Sequence, residues 1–348
     1  MKTISRLAGF ASVLLAFACL ASAQSYLVKN LGSFGGELSG ATAINDLGQV
    51  AGYSAVVSGG HNHAFLWTTS GGMRDLRTLA GDFDSEATGL NNSSTVVGNS
   101  YYGSTSHAFV WTEAGGMQDL GNLGGTIAYA TAINNSGQVA GYSSLSDGAQ
   151  HAFMWSDTTG MRDLGTLGGP YSYACGVNDT GEVVGYSTLS DGRTSHLFRW
   201  TEQTGMQDVQ IGVPGSLGGT CAVNNSATIA GNTYIGYGDE AAFVLLPNNE
   251  YLGLGNLGGA LTTVPYGIGP SGEIVGYSTA QTPNGTADLA FLWTQRGKMQ
   301  DLNKLIPRSS GVVLTQANAL NKSGQIAATG SIPGCIRCPM LLTPNTKP

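Results

Sequence analysis

The 348-residue chain carries 15 basic and 22 acidic side chains, a net charge of −7, and charged residues make up only 11% of it. That balance argues against a nucleic-acid or anionic-membrane partner, since both need a basic face. With 53 glycines and few Lys, Glu or Arg, the composition excludes a mainly helical fold and predicts short strands joined by tight turns.

In chain order, residues 1–23 are expected to be a secretory signal. Lys2 and Arg6 form a basic head, Leu7 to Leu20 an apolar stretch, and Ala21-Ser22-Ala23 the small residues before cleavage. Lipidation at Cys19 fits less well, because Ala16-Phe17-Ala18 is a poor approach to such a cysteine. Removing the signal leaves 13 basic against 22 acidic residues, a balance of −9. The expected location is extracellular or periplasmic. No other apolar run reaches the ~20 residues of a membrane span.

The remainder is dominated by one repeat. A unit reading AINDLGQVAGYS, a loop, HAFLWT, a short turn and GMRDLRTL recurs around Asn45, Asn91, Asn134, Asn178, Asn224, Gly269 and Asn321. The unit divides into four β-like runs: ATAIN, QVAGYS, HAFLW and MRDL. Asp46-Leu47-Gly48 supplies a tight turn between the first two. In the third run Phe65 and Trp67 share one face and Ala64 and Leu66 the other. Both faces are apolar, as in a strand packed between sheets. Residues 26–32 resemble an orphan fourth run, whereas the last unit stops after its third. The prediction is all-β: one domain over residues 24–348, a monomeric seven-bladed β-propeller of four-stranded antiparallel blades. Residues 26–32 would complete the blade formed by 317–343, closing the ring and hiding the end strands.

The His-Ala-Phe triplets at 63–65, 107–109 and 151–153, with the LGNLGG and LGTLGG segments, resemble the bacterial extracellular HAF-repeat family. The likeness covers nearly the whole chain after the signal. The triplet weakens at His196-Leu197-Phe198, Ala242-Phe243, Ala290-Phe291 and Pro339-Met340. The resemblance implies export and a repeated β fold, and no particular activity.

Two rims follow from strand order. The first-to-second and third-to-fourth turns keep constant length through the units; the second-to-third and fourth-to-first connections vary. Function is expected on the variable rim. It is rich in tyrosine (Tyr101, Tyr102, Tyr129, Tyr171, Tyr173, Tyr234, Tyr237 and Tyr266), suited to stacking and hydrogen bonding with glycan or protein.

Candidate chemistry is sparse. His63, His107, His151 and His196 share one repeat position and are expected to be structural, hydrogen-bonding groups. His61 with His63 forms a His-x-His without further ligands. Asp75, Asp119, Asp163, Asp208 and Asp301 read as edge protection on the outermost strand. Asp82, Asp84 and Glu86 form the one tight acidic cluster on the variable rim, a weak candidate for Ca²⁺. No cofactor motif and no catalytic residue is assigned. Cys335 and Cys338 lie close enough in sequence to close a loop. Cys175 and Cys221, on neighbouring units, are expected to be buried thiols too far apart to join. The expected function is a secreted, noncatalytic binding module, the alternative a propeller-type polysaccharide hydrolase or lyase.

Overall fold

The computed structural model describes residues 25–56, 60–210, 217–236, 239–258, 262–283 and 285–345; the expected signal segment lies outside them. Regular structure is almost wholly β. After β1 (Tyr26–Asn30) the strands form antiparallel meanders. The first is β2 (Gly35–Ile44), β3 (Val50–Val56), β4 (Asn62–Thr68) and β5 (Gly72–Arg77). The second is β6 (Asp84–Leu90), β7 (Val96–Tyr102), β8 (Thr105–Thr112) and β9 (Gly116–Asp119). Then come β10 (Ala128–Ile133), β11 (Val139–Ser144), β12 (Gln150–Ser156) and β13 (Gly160–Asp163). The fourth is β14 (Gly168–Val177), β15 (Val183–Leu189), β16 (Ser195–Thr201) and β17 (Gly205–Val209). The fifth is β18 (Leu217–Val223), β19 (Ile229–Gly236), β20 (Asp239–Leu245) and β21 (Tyr251–Gly253). The sixth is β22 (Thr263–Ile268), β23 (Ile274–Thr282), β24 (Gly285–Thr294) and β25 (Lys298–Asp301). The chain ends on β26 (Val313–Leu320), β27 (Ile326–Ile332) and β28 (Cys335–Pro344). β1 lies antiparallel to β28, Val28 opposite Leu342.

As hydrogen-bonded sheets these strands number five, two of eight strands and three of four, and none closes on itself. Each eight-stranded sheet is two meanders joined by a single parallel pair, Leu38 with Arg337 or Gln150 with Tyr171.

The repeat is explained by packing. Phe65, Phe109, Phe153, Phe198, Phe243 and Phe291 on the third strands are fully buried. Each presses on a glycine of the second strand. A Cβ on Gly141 would meet the Tyr129 carbonyl oxygen at 2.0 Å and the Phe153 ring at 2.7 Å, so only hydrogen fits. That carbonyl is turned inward beside a bulge in the first strand, which recurs at Thr42, Thr88, Thr131 and Cys175.

A bulge rotates one side chain out of the strand's alternation. Here it aims that side chain at the neighbouring meander. Thr42 Oγ1 donates to Ala87 O at 2.7 Å, Thr88 to Ala130 O at 2.9 Å and Thr131 to Ala174 O at 3.0 Å. At the next junction Cys175 takes the bulged position and forms a disulfide with Cys221, with Cα atoms 5.4 Å apart. The expectation of two separate thiols is therefore wrong. First strands converge closely enough for the bulged residue to reach across. Cys335 and Cys338 are also disulfide-bonded.

A second set of bonds runs along the constant rim. The Asn45, Asn91, Asn134, Asn178 and Asn224 side chains each donate to the main-chain oxygen of the equivalent residue in the next meander, at 2.9–3.2 Å. Gly269 cannot donate. Asn321 then donates to Asn45 O, and Asn318 to Ala41 O.

Candidate functional site

One cavity of about 250 Å³ is lined by residues of all seven first strands: β2, β6, β10, β14, β18, β22 and β26. Towards the constant rim it meets a collar of Ile44, Leu90, Ile133, Val177, Val223, Ile268 and Leu320. Outside that collar, Asp46, Asn92, Asn135, Asp179, Asn225, Pro270 and Lys322 ring a cavity of about 270 Å³. The ring's polar groups largely satisfy one another. Burial alone would raise the Asp179 pKa, but hydrogen bonds from Asn135 N and the Asn135 and Asn225 side chains bring it below the usual carboxylate value.

The variable-rim end is different. Its cavity is about 470 Å³, walled by Tyr142, Tyr173, Tyr186 and Tyr266, the Cys175–Cys221 disulfide, and Thr131, Thr220 and Ser195. Tyr186 donates to Thr220 O at 3.0 Å. The hydroxyls of Tyr142, Tyr173, Tyr266 and Ser195 have no hydrogen-bond partner among the described residues, and none is a buried unpaired atom. Burial pushes the Tyr142 and Tyr266 phenols up to about 12, so both keep their protons at neutral pH.

The sequence-predicted tyrosines divide. Tyr173 and Tyr266 line the cavity. Tyr101 and Tyr129 extend the wall in a row: Tyr101–Tyr129 6.3 Å, Tyr129–Tyr142 5.0 Å, Tyr142–Tyr173 5.0 Å between ring centroids. Tyr171 stacks beside Tyr173 at 6.5 Å and is exposed. Tyr102 leaves the row; with Phe83 and His61 it makes a separate exposed aromatic cluster. Tyr234 is exposed, and partial burial with the nearby Glu240 charge raises its phenol pKa. Tyr237 lies outside the described residues.

Sequence reasoning missed Tyr142 and Tyr186, which belong to the recurrent Gly-Tyr of the second strand and read as scaffold. The available signal was their register: Tyr142 pairs with Tyr129 and Tyr186 with Tyr173, at the variable-rim end. It also missed two charged groups of the variable rim, Glu240 and Arg337, and read Glu86 only as part of the acidic cluster at 82–86. Burial raises Glu86 and Glu240, partly offset by Asn62 at the first and by Asn232 and Tyr234 at the second. The Arg337 charge, carried on β28 between the disulfide-bonded Cys335 and Cys338, acts on Tyr53, Glu86 and Tyr266.

All five histidines bond a carboxylate through Nδ1. His63, His151 and His196 take Asp75, Asp163 and Asp208 of their own meander at 2.9–3.0 Å. Those aspartates thus hold the third strand to the fourth, a closer role than edge protection. His107 instead takes Asp82 at 2.9 Å, and His61 takes Asp84 at 3.0 Å. Asp84 also accepts from Asn62 N, and Glu86 from the Asn62 side chain, so the three acids at 82–86 turn to different partners. Among the described residues no group of three or more His, Cys, Asp or Glu is arranged to hold a metal ion. Nor is any helix long and apolar enough to cross a membrane.

No protein-family model and no curated protein matches the chain. Among solved structures it is similar to TolB from Acinetobacter baumannii (12% identity, TM-score 0.52), over 72% of this chain and 62% of that one. The chain thus spans less than two thirds of that TolB. It is also similar to a virginiamycin B lyase from Staphylococcus aureus (12% identity, TM-score 0.55, 91% and 99% covered). A third likeness is to the β-propeller domain of the Trilobed protease from Pyrococcus furiosus (9% identity, TM-score 0.50, 76% and 83% covered). At these identities the likeness carries the fold alone, and that fold is a β-propeller.

Proposed function

We propose that the chain is a seven-bladed propeller, closed by β1, that works outside the cytoplasm as a noncatalytic binding module. Its variable rim would receive a glycan or protein. Support for closure comes from the β1–β28 pairing, the Asn321–Asn45 bond and a cavity walled by seven first strands. Two disulfides favour an oxidising compartment, in keeping with the signal-like N-terminus and the HAF-repeat resemblance.

One observation carries the choice of rim. Of nine exposed large apolar side chains among the described residues, seven lie on the variable rim: Leu38, Phe83, Tyr102, Tyr171, Tyr234, Val313 and Ile336. The larger cavity opens on that same rim, whereas the constant-rim mouth is a ring of mutually bonded polar groups. Exposed apolar groups gathered at a cavity mark an interaction site. The alternative, polysaccharide hydrolysis or lysis, rests on the His61–Asp84 pair near Glu86. It is the second choice because no acid or base lines the cavity.

The test is a glycan-array and protein pull-down screen of the mature chain. Hits should be lost with Tyr171→Ala/Tyr173→Ala and retained with Glu113→Ala or Gln203→Ala on the constant rim. New reducing ends or unsaturated products from a polysaccharide would favour the alternative.

A further inference from the structure

The wall of the variable-rim cavity has a specific chemistry. It contains no ionised side chain. Around its mouth the charges of Glu240 and Asp288 oppose that of Arg337 at Tyr266, so an anionic ligand gains little there. Its polar groups are hydroxyls: three phenols and Ser195 without partners, and Thr131 and Thr220, whose protons are committed to main-chain oxygens while lone pairs remain. Neighbouring rings Tyr142 and Tyr173 stand at 78° to one another, 5.0 Å apart. They form a corner, and Tyr129 stacks on Tyr142 and Tyr171 on Tyr173. Such a corner offers aromatic surface to a puckered ring bearing C–H groups on one side and hydroxyls at its margin.

From this we propose that the cavity binds one unit of a neutral saccharide, entering from the variable rim. The volume of about 470 Å³ lies within the roughly 300–1,000 Å³ of small-molecule sites. Tyr142 and Tyr173 supply the stacking corner. Ser195 and the free phenols donate to and accept from the sugar hydroxyls, and the Cys175–Cys221 disulfide fixes the wall between β14 and β18. The assignment rests on the variable-rim binding reading and narrows it to one ligand class.

The experiment is isothermal titration calorimetry of the mature protein. The probes are neutral gluco-, manno-, galacto- and xylo-oligosaccharides, a uronate oligosaccharide and an uncharged tryptophan-containing peptide. At least one neutral oligosaccharide should bind with Kd of about 1 mM or tighter. Tyr173→Ala and Tyr266→Ala should weaken it about tenfold or more, and Tyr173→Phe by less. Glu113→Ala and Gln203→Ala should not change it. Should a tyrosine truncation fail to fold, Ser195→Ala removes a hydroxyl that bonds nothing in the protein and should still weaken binding. If the uronate or the peptide binds instead, and the same tyrosine changes abolish that, the saccharide class is wrong and the rim stands. Binding lost only in the constant-rim variants overturns both. No heat from any probe at about 10 mM overturns the saccharide proposal.

Discussion

The Asn321 side chain donates to the main-chain oxygen of Asn45, 2.9 Å away and 276 residues earlier. Asn134 makes the same bond to Asn178, only 44 residues on. Both also fold their own turns, the Oδ1 atom accepting from the amides two and four residues later. Their local duties are matched, so a comparison isolates the link between the last and first units.

With a closed ring, Asn321→Ala and Asn134→Ala should each cost about 2–4 kcal/mol, a lost hydrogen bond plus unsatisfied buried groups. Urea titration measures both. A clearly smaller loss at Asn321 would mean that the ends do not support one another. Deleting Ser25 to Leu31 should be harsher. It strips β1 from β28 and bares a strand edge, so aggregation or a large fall in Tm is expected.

Gly269 marks the one gap in the asparagine relay, and Gly269→Asn should fill it. Its φ is not positive, and a Cβ there would meet chiefly the Glu273 carboxylate at 2.7 Å and Leu320 Cδ1 at 3.1 Å. Glu273 can swing aside and accept from the new amide, as Glu182 does from Asn178. A gain of about 1 kcal/mol is expected, read as a higher Tm. A lower Tm would show that Leu320 cannot yield.

The repeated histidines should not be equivalent. His151 and Asp163 are 20% and 38% exposed, a partly solvated pair contributing at most about 1 kcal/mol. His107 faces Asp82, whose side chain is only 4% exposed. Removing that partner strands a buried carboxylate. His107→Ala should therefore cost about 1–3 kcal/mol and His151→Ala less, by denaturant unfolding. Equal losses would refute this ranking.

Glu86 yields a pH prediction. Burial raises its pKa in the folded chain, against weaker lowering by Asn62 and Arg337. The folded form therefore holds its proton more tightly than the unfolded form. Stability from this group is present below the usual value of 4.5 and is lost as pH rises through that value to the raised one. Glu86→Gln should raise Tm at pH 7 relative to the parent, with the difference vanishing in acid. A parallel offset at all pH values would locate the effect in packing.

Much of the architecture is legible along the chain because its causes are local. Two-residue alternation marks the strands, constant turn lengths mark one rim, and a glycine beside a buried Phe recurs because no Cβ fits. The orphan run at Tyr26 and its partner near Leu342 could be matched in the same way. The bulges could not. Each breaks the alternation by one residue and redirects a side chain, which is why Cys175 and Cys221 read as separate thiols and are bonded. The same limit applies to the cavity. Tyr142, Tyr173 and Tyr266 belong to separate units, and only the convergence of the first strands brings them to one wall. Sequence periodicity by itself determined the strands and the rim where function was sought. The tertiary structure alone decided which tyrosines meet, because side-chain direction at a bulge and distance across the axis are not properties of any single repeat.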